Sequence, residues 1–141
     1  MNLTKALTIA AMLIAASPAV GAPNVPAGVD AARKNLALAV QARDLKRIVA
    51  LADFPLAVDV SGAAPKMTAA QFLADKQKFE ELFGPPDGGI VRCIRSDALQ
   101  LQDDVKSFGH GSWFVDCNGN AYFFTLRGGR WLFLGYQNVN E

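Results

Sequence analysis

Asn118-Gly119 and Gly128-Gly129 divide the last third of this chain into three apolar runs, Ser112–Cys117, residues 121–127 and residues 130–139. Asn-Gly and Gly-Gly reach positive φ at both central turn positions, which a type I′ hairpin demands, so each joint reads as a two-residue turn. A three-stranded antiparallel meander follows. Everything upstream reads as helices that need such a sheet to pack on, which makes the chain one α+β domain.

The amino terminus has a different logic. Lys5 is followed by an apolar run over residues 6–16 and then by Ser17-Pro18-Ala19-Val20-Gly21-Ala22. That is the order of a secretory signal peptide: a charged region, an apolar region and a small-residue cleavage site, after Gly21 or after Ala22. The apolar run is shorter than the ~20 residues that span a bilayer. The expected organisation is a signal peptide over residues 1–22, a flexible Pro/Gly-containing lead-in over 23–28 and one domain over 29–141.

Without its leader the chain keeps about 120 residues, enough for a single core. Removing Lys5 from 14 basic residues leaves 13, against 13 acidic ones. A neutral chain has no long-range field to gather nucleic acid or anionic lipid, so neither is an expected partner. Cys93 and Cys117, the two cysteines, are 24 residues apart; an even count in an exported chain reads most simply as a disulfide. The rival reading, a redox or metal site, lacks a Cys-x-x-Cys and has one histidine to draw on. No cofactor and no metal are implied, and the expected location is periplasmic or extracellular.

Val29, Leu36 and Val40 predict a helix through residues 30–42, and Leu45, Ile48, Val49 and Ala52 a second, shorter one that Asp44 can cap. Leu56, Val58 and Val60 alternate with Ala57 and Asp59, a strand opened by Pro55 and closed by Ser61-Gly62. Thr68-Ala69-Ala70-Gln71 has the form of a capping box, and Phe72, Phe79, Leu82 and Phe83 extend one helix to Gly84-Pro85-Pro86. A short helical turn over residues 90–94 carries Cys93, and residues 98–102 alternate as a strand until Asp103-Asp104.

This order, ααβαββββ, resembles the nuclear transport factor 2-like (NTF2-like, cystatin-like fold) superfamily. The resemblance is carried by the strand opening Phe54-Pro55-Leu56-Ala57-Val58, the helix from Gln71-Phe72-Leu73 through Phe79, and the Gly-rich lead Gly109-His110-Gly111 into Ser112-Trp113-Phe114. It implies a curved sheet wrapping the amino-terminal helix into a cone with a pocket at its open end. Members include isomerases, dehydratases, transport factors and domains without known activity, so the resemblance selects no role.

Three residues are candidates for proton transfer. His110 stands between two glycines before a strand, where it is either an accessible base or a turn residue. Asp59 and Asp116 interrupt apolar strands; turned inward, burial raises a carboxylate toward the working pH range, and turned outward they are the solvent face of a half-exposed sheet. Adjacent Asp103 and Asp104 point to opposite faces of an extended chain and read as a solvated turn. The meander aromatics, Trp113, Tyr122, Phe124 and Trp131 among them, occur on both strand parities and suit a ligand cleft, a subunit contact through the sheet or plain core.

The chain has no G-x-S-x-G, H-E-x-x-H, P-loop or G-x-G-x-x-G. The expected role is therefore non-enzymatic binding of a small apolar ligand or a protein partner. Two alternatives stand beside it. One is an isomerase of the ketosteroid or SnoaL-like kind with Asp59, Asp116 or His110 as base; the other is an envelope inhibitor or immunity-type protein.

Overall fold

Asn118 and Gly119 take φ of 58° and 89°, and Gly128 and Gly129 take 56° and 76°, so both joints of the meander are left-handed at both central positions. The computed structural model describes residues 24–59, 66–85, 88–102 and 111–138; the expected signal peptide lies outside them. Those turns link β4 (Ser112–Cys117) to β5 (Asn120–Arg127) and β5 to β6 (Arg130–Asn138), antiparallel throughout.

Along β5 and β6 the register shifts once. Phe123 pairs with Gly135 and Phe124 with Phe133, so Leu134 is an extra residue on β6. Such a bulge reverses the alternation of side chains beyond it. Phe133 and Tyr136, three apart, therefore both join the main core, while Leu134 joins Ala121 and Phe123 in a second cluster. The aromatics on both parities of β6 have this cause, whereas Phe114 and Phe123 belong to the opposite face.

The meander is the centre of a six-stranded mixed sheet completed by β1 (Ala52–Asp59), β2 (Lys66–Met67) and β3 (Leu99–Gln102), in the order β2-β1-β6-β5-β4-β3. The single parallel pair is β1 with β6. With β2 and β3 at its edges the sheet does not close. Pro55, expected to open β1, lies inside it after a cis Phe54–Pro55 bond, within the stretch where the β1–β6 register is irregular and a ladder donor can be spared. Only two residues of β2 pair, with Leu56 and Ala57, too few to leave an alternating signal.

The described residues also form five helices: α1 (Ala27–Gln41), α2 (Leu45–Ala50), α3 (Ala69–Ala74), α4 (Lys76–Phe83) and α5 (Ile90–Ser96). Asp44 caps α2 by accepting from the Arg47 N–H, and Thr68 and Gln71 form the expected capping box. The helix expected to run unbroken from the capping box to Phe83 is instead two. Asp75, at φ −127° and ψ 113°, leaves the helical region and its carboxylate accepts from the Gln77 N–H, restarting the helix.

All five helices send apolar side chains into one cluster on one face of the sheet. Val29, Leu36 and Val40 of α1, Ile48, Phe72, Phe79, Leu82, Phe83 and Ile94 meet Leu56, Val58, Trp113, Val115, Tyr122, Phe124, Phe133 and Tyr136 there. Two ties fix α5. The Cys93–Cys117 disulfide, with a Cα separation of 5.8 Å, joins it to the end of β4, and the Arg33 guanidinium on α1 donates to the Asp97 carbonyl that follows it. Among the described residues no helix is long and apolar enough to cross a membrane.

Candidate functional site

Helix α1 ends in an unusual way. The Asp44 N–H donates to the Ala39 carbonyl (3.0 Å) and the Arg43 N–H to that of Val40 (3.1 Å), the paired bonds of a Schellman motif. The left-handed position of that motif usually holds glycine; here it is Arg43, at φ 51°. An L-residue in this region costs about 1–2 kcal/mol.

The turn projects the Arg43 side chain toward α4. Its guanidinium lies 5.0 Å from the centroid of the Phe79 ring, and Nη2 is 3.5 Å from Glu80 Oε1. Both members of the ion pair are exposed, at 49% and 59%, where such a pair contributes about 0–1 kcal/mol. The half-exposed guanidinium over the buried Phe79 ring contributes a further ~0.5–1 kcal/mol. These gains and the backbone strain are of similar size, so stability alone does not select arginine over glycine.

Two hollows share Arg43 and Phe79 in their walls. One, of about 150 Å³, is lined chiefly by Val40, Phe83, Ile90 and Val91, and is closed at one end by Gly84 and Pro85, where α4 stops. The other, of about 260 Å³, adds Leu45 and Lys76. Sharing Arg43 and Phe79, they make a two-part cleft, the smaller part between the end of α1, α4 and α5 and the larger between the start of α2 and α4. Its floor continues into the core as an aromatic column, with Phe79 to Phe83 at 5.3 Å, Phe83 to Phe133 at 5.9 Å and Phe83 to Tyr122 at 6.3 Å between centroids. A third hollow, of about 160 Å³, lies beside the disulfide between Gly88, Gly89, Asp97 and Asn118.

The residues singled out in the sequence lie elsewhere. Trp113, Tyr122 and Phe124 are buried in the main core, and Trp131 packs so closely over the first turn of α1 that a Cβ on Gly28 would sit 2.5 Å from its Cδ1. None of these four lines the cleft. Tyr122 is also tied through its polar end. Its hydroxyl donates to the Leu82 carbonyl, and burial, with Tyr136 nearby, raises the phenol well above its usual range. It remains neutral at physiological pH.

Asp116 is exposed on the face away from the helices, where its Oδ1 accepts from the Gly119 N–H (2.8 Å) and braces the β4–β5 turn. Asp59 ends β1 opposite Gln137, but its side chain lies outside the described residues, as do His110, Asp103 and Asp104. The face that carries Asp116 has its own apolar cluster of Ala121, Phe123 and Leu134 with Ala57 and Phe114; Phe123 is only 2% exposed, so it is a packed layer. The sequence reading did not single out Arg43, Lys76, Ile90 or Val91. They come together by the packing of three separate helices, for which no local motif exists.

Comparison of the chain with protein-family models, with curated proteins and with solved structures finds no match. The cleft itself is therefore the ground for a functional reading.

Proposed function

We propose that this protein is an exported, non-enzymatic binding domain that holds a small apolar molecule in the cleft between α1, α4 and α5. The observation that carries this reading is the division of that cleft into an apolar floor and walls, Phe79, Phe83, Val40, Ile90 and Val91, with polar side chains among the described lining residues at Gln41, Arg43 and Lys76. Apolar linings with a few polar groups are what small-molecule sites use. Asp116, the one proton-transfer candidate whose side chain is described, braces a turn and does not line the cleft.

Export is supported by the signal-like order of residues 1–22 and by the Cys93–Cys117 bridge, which persists in oxidising compartments. A distant NTF2-like ancestry is supported by the element order, in which a long first helix packs against a sheet whose last strands form a meander. The cleft placed here differs from a cone mouth, since helices supply its walls.

Titration of isotopically labelled protein with a panel of neutral and charged aliphatic and aromatic compounds tests the reading. Saturable NMR shifts centred on Phe79, Phe83, Ile90 and Val91 are expected for some members. A panel that produces no localised shifts there defeats the proposal.

A further inference from the structure

We infer that the occupant of this cleft is an amphipathic anion, an aliphatic or aromatic carboxylate whose tail lies on Phe79 and Phe83 and whose charged end is met by Arg43 and Lys76. The inference rests on the ligand-binding reading above and adds the chemistry of the ligand's polar end.

Among the described residues, the charged groups that line the two hollows are of one sign. Arg43 lines both, Lys76 lines the larger, and Glu80 lines neither. Lys76 makes no ion pair among the described residues. Arg43 offers five N–H donors, and its carboxylate partner, Glu80, stands 3.5 Å away and more than half exposed. A guanidinium in this state is open to a better acceptor. A carboxylate accepts two parallel N–H bonds from it, an arrangement that a neutral hydroxyl cannot reproduce.

The backbone points the same way. Arg43 holds the left-handed position that glycine occupies without strain, and its packing and pairing there do not account for the choice. Residues held in the left-handed region cluster at ligand clamps and switch sites, where the side chain serves function more than stability. Here that side chain also lies over Phe79, between the two hollows, where it can meet a head group while the tail occupies the apolar side.

The test compares octanoate with 1-octanol, which share a tail and differ in charge, by NMR or calorimetric titration of the protein with its disulfide intact. Octanoate is expected to bind about tenfold more tightly than 1-octanol, the scale of one charge-assisted hydrogen bond. Arg43→Gly should abolish the preference for octanoate over 1-octanol, and Lys76→Gln should reduce it. Arg43→Asn, which also tolerates the left-handed turn, serves as a second variant should the glycine protein fold poorly. Equal affinity for the two compounds, or a preference that survives in the Arg43 variants, overturns the anion inference and leaves the apolar cleft standing. Failure of both compounds to bind at the cleft removes the inference together with the reading on which it rests.

Discussion

The Tyr122 hydroxyl donates a 2.7 Å hydrogen bond to the carbonyl of Leu82, 40 residues earlier, joining the middle strand of the meander to the last turn of α4. Both residues are buried. Tyr122→Phe removes the donor and leaves a buried acceptor, and the expected loss is about 1–2 kcal/mol in urea unfolding. The same bond carries a pH signature. Because burial raises the folded-state phenol above its unfolded value of about 10, its contribution is complete below pH ~10 and declines as pH rises further. Wild type should therefore lose stability above pH ~10 more steeply than the phenylalanine variant; parallel profiles would show that Tyr122 is not the group responsible.

The disulfide closes a 24-residue separation between α5 and β4. Cys93→Ser is expected to reduce stability by about 3 kcal/mol and the thermal midpoint by several degrees under non-reducing conditions. Reductant should bring wild type down to the same midpoint. An unchanged midpoint in the variant would mean that the bridge contributes nothing to the folded state's margin.

Gly135 follows the bulge residue of β6 at φ 127°, and a Cβ there would stand 2.0 Å from the Ala57 carbonyl oxygen. Neither the backbone angle nor the neighbouring strand leaves room for a side chain. Gly135→Ala should lower stability by about 3 kcal/mol or more, through strain in the β1–β6 pair. A variant that unfolds within about 1 kcal/mol of wild type would mean that β1 shifts away at little cost.

Asp30, in the first turn of α1, accepts from Lys34 and Arg33, and these bonds hold its carboxyl below the usual carboxylate range. A depressed folded-state value stabilises the protein above the unfolded value of about 3.9, and that contribution is lost as pH falls through the folded one. Asp30→Asn should accordingly flatten part of the acid limb of a stability–pH profile. The effect is small, since a third of the side chain is open to solvent. An acid limb identical to wild type would show that the two cations do not act on Asp30 in solution.

The elements that local chemistry specifies were legible in the sequence: two hairpin turns, the Asp44 cap, the capping box and the amphipathic face of α1. The cysteine pair was legible too, because parity and export chemistry leave few choices. The break at Asp75 was masked by Phe72 and Phe79, whose spacing suits one continuous helix even though a capping residue lies between them. The bulge at Leu134 left no pattern, because its effect is to place on one face aromatics that a regular strand would separate. Arg43 and Lys76 were unreadable as a pair. They lie on different elements, and only tertiary packing brings Arg43 to the hollow that Lys76 and Phe79, three apart on α4, also line.

The parallel pairing of β1 with β6 also sets a timetable for synthesis. Strand β6 is the last described strand to leave the ribosome, yet it lies inside the sheet with β1 on one side and β5 on the other. Until Arg130–Asn138 is available, β1 and β2 have no sheet to join, and the apolar faces of α1 to α4 have only part of their partner surface. A nascent chain halted before Arg130 lacks the one strand that joins the amino-terminal hairpin to the meander, so the two halves of the sheet come together only as the last described residues emerge.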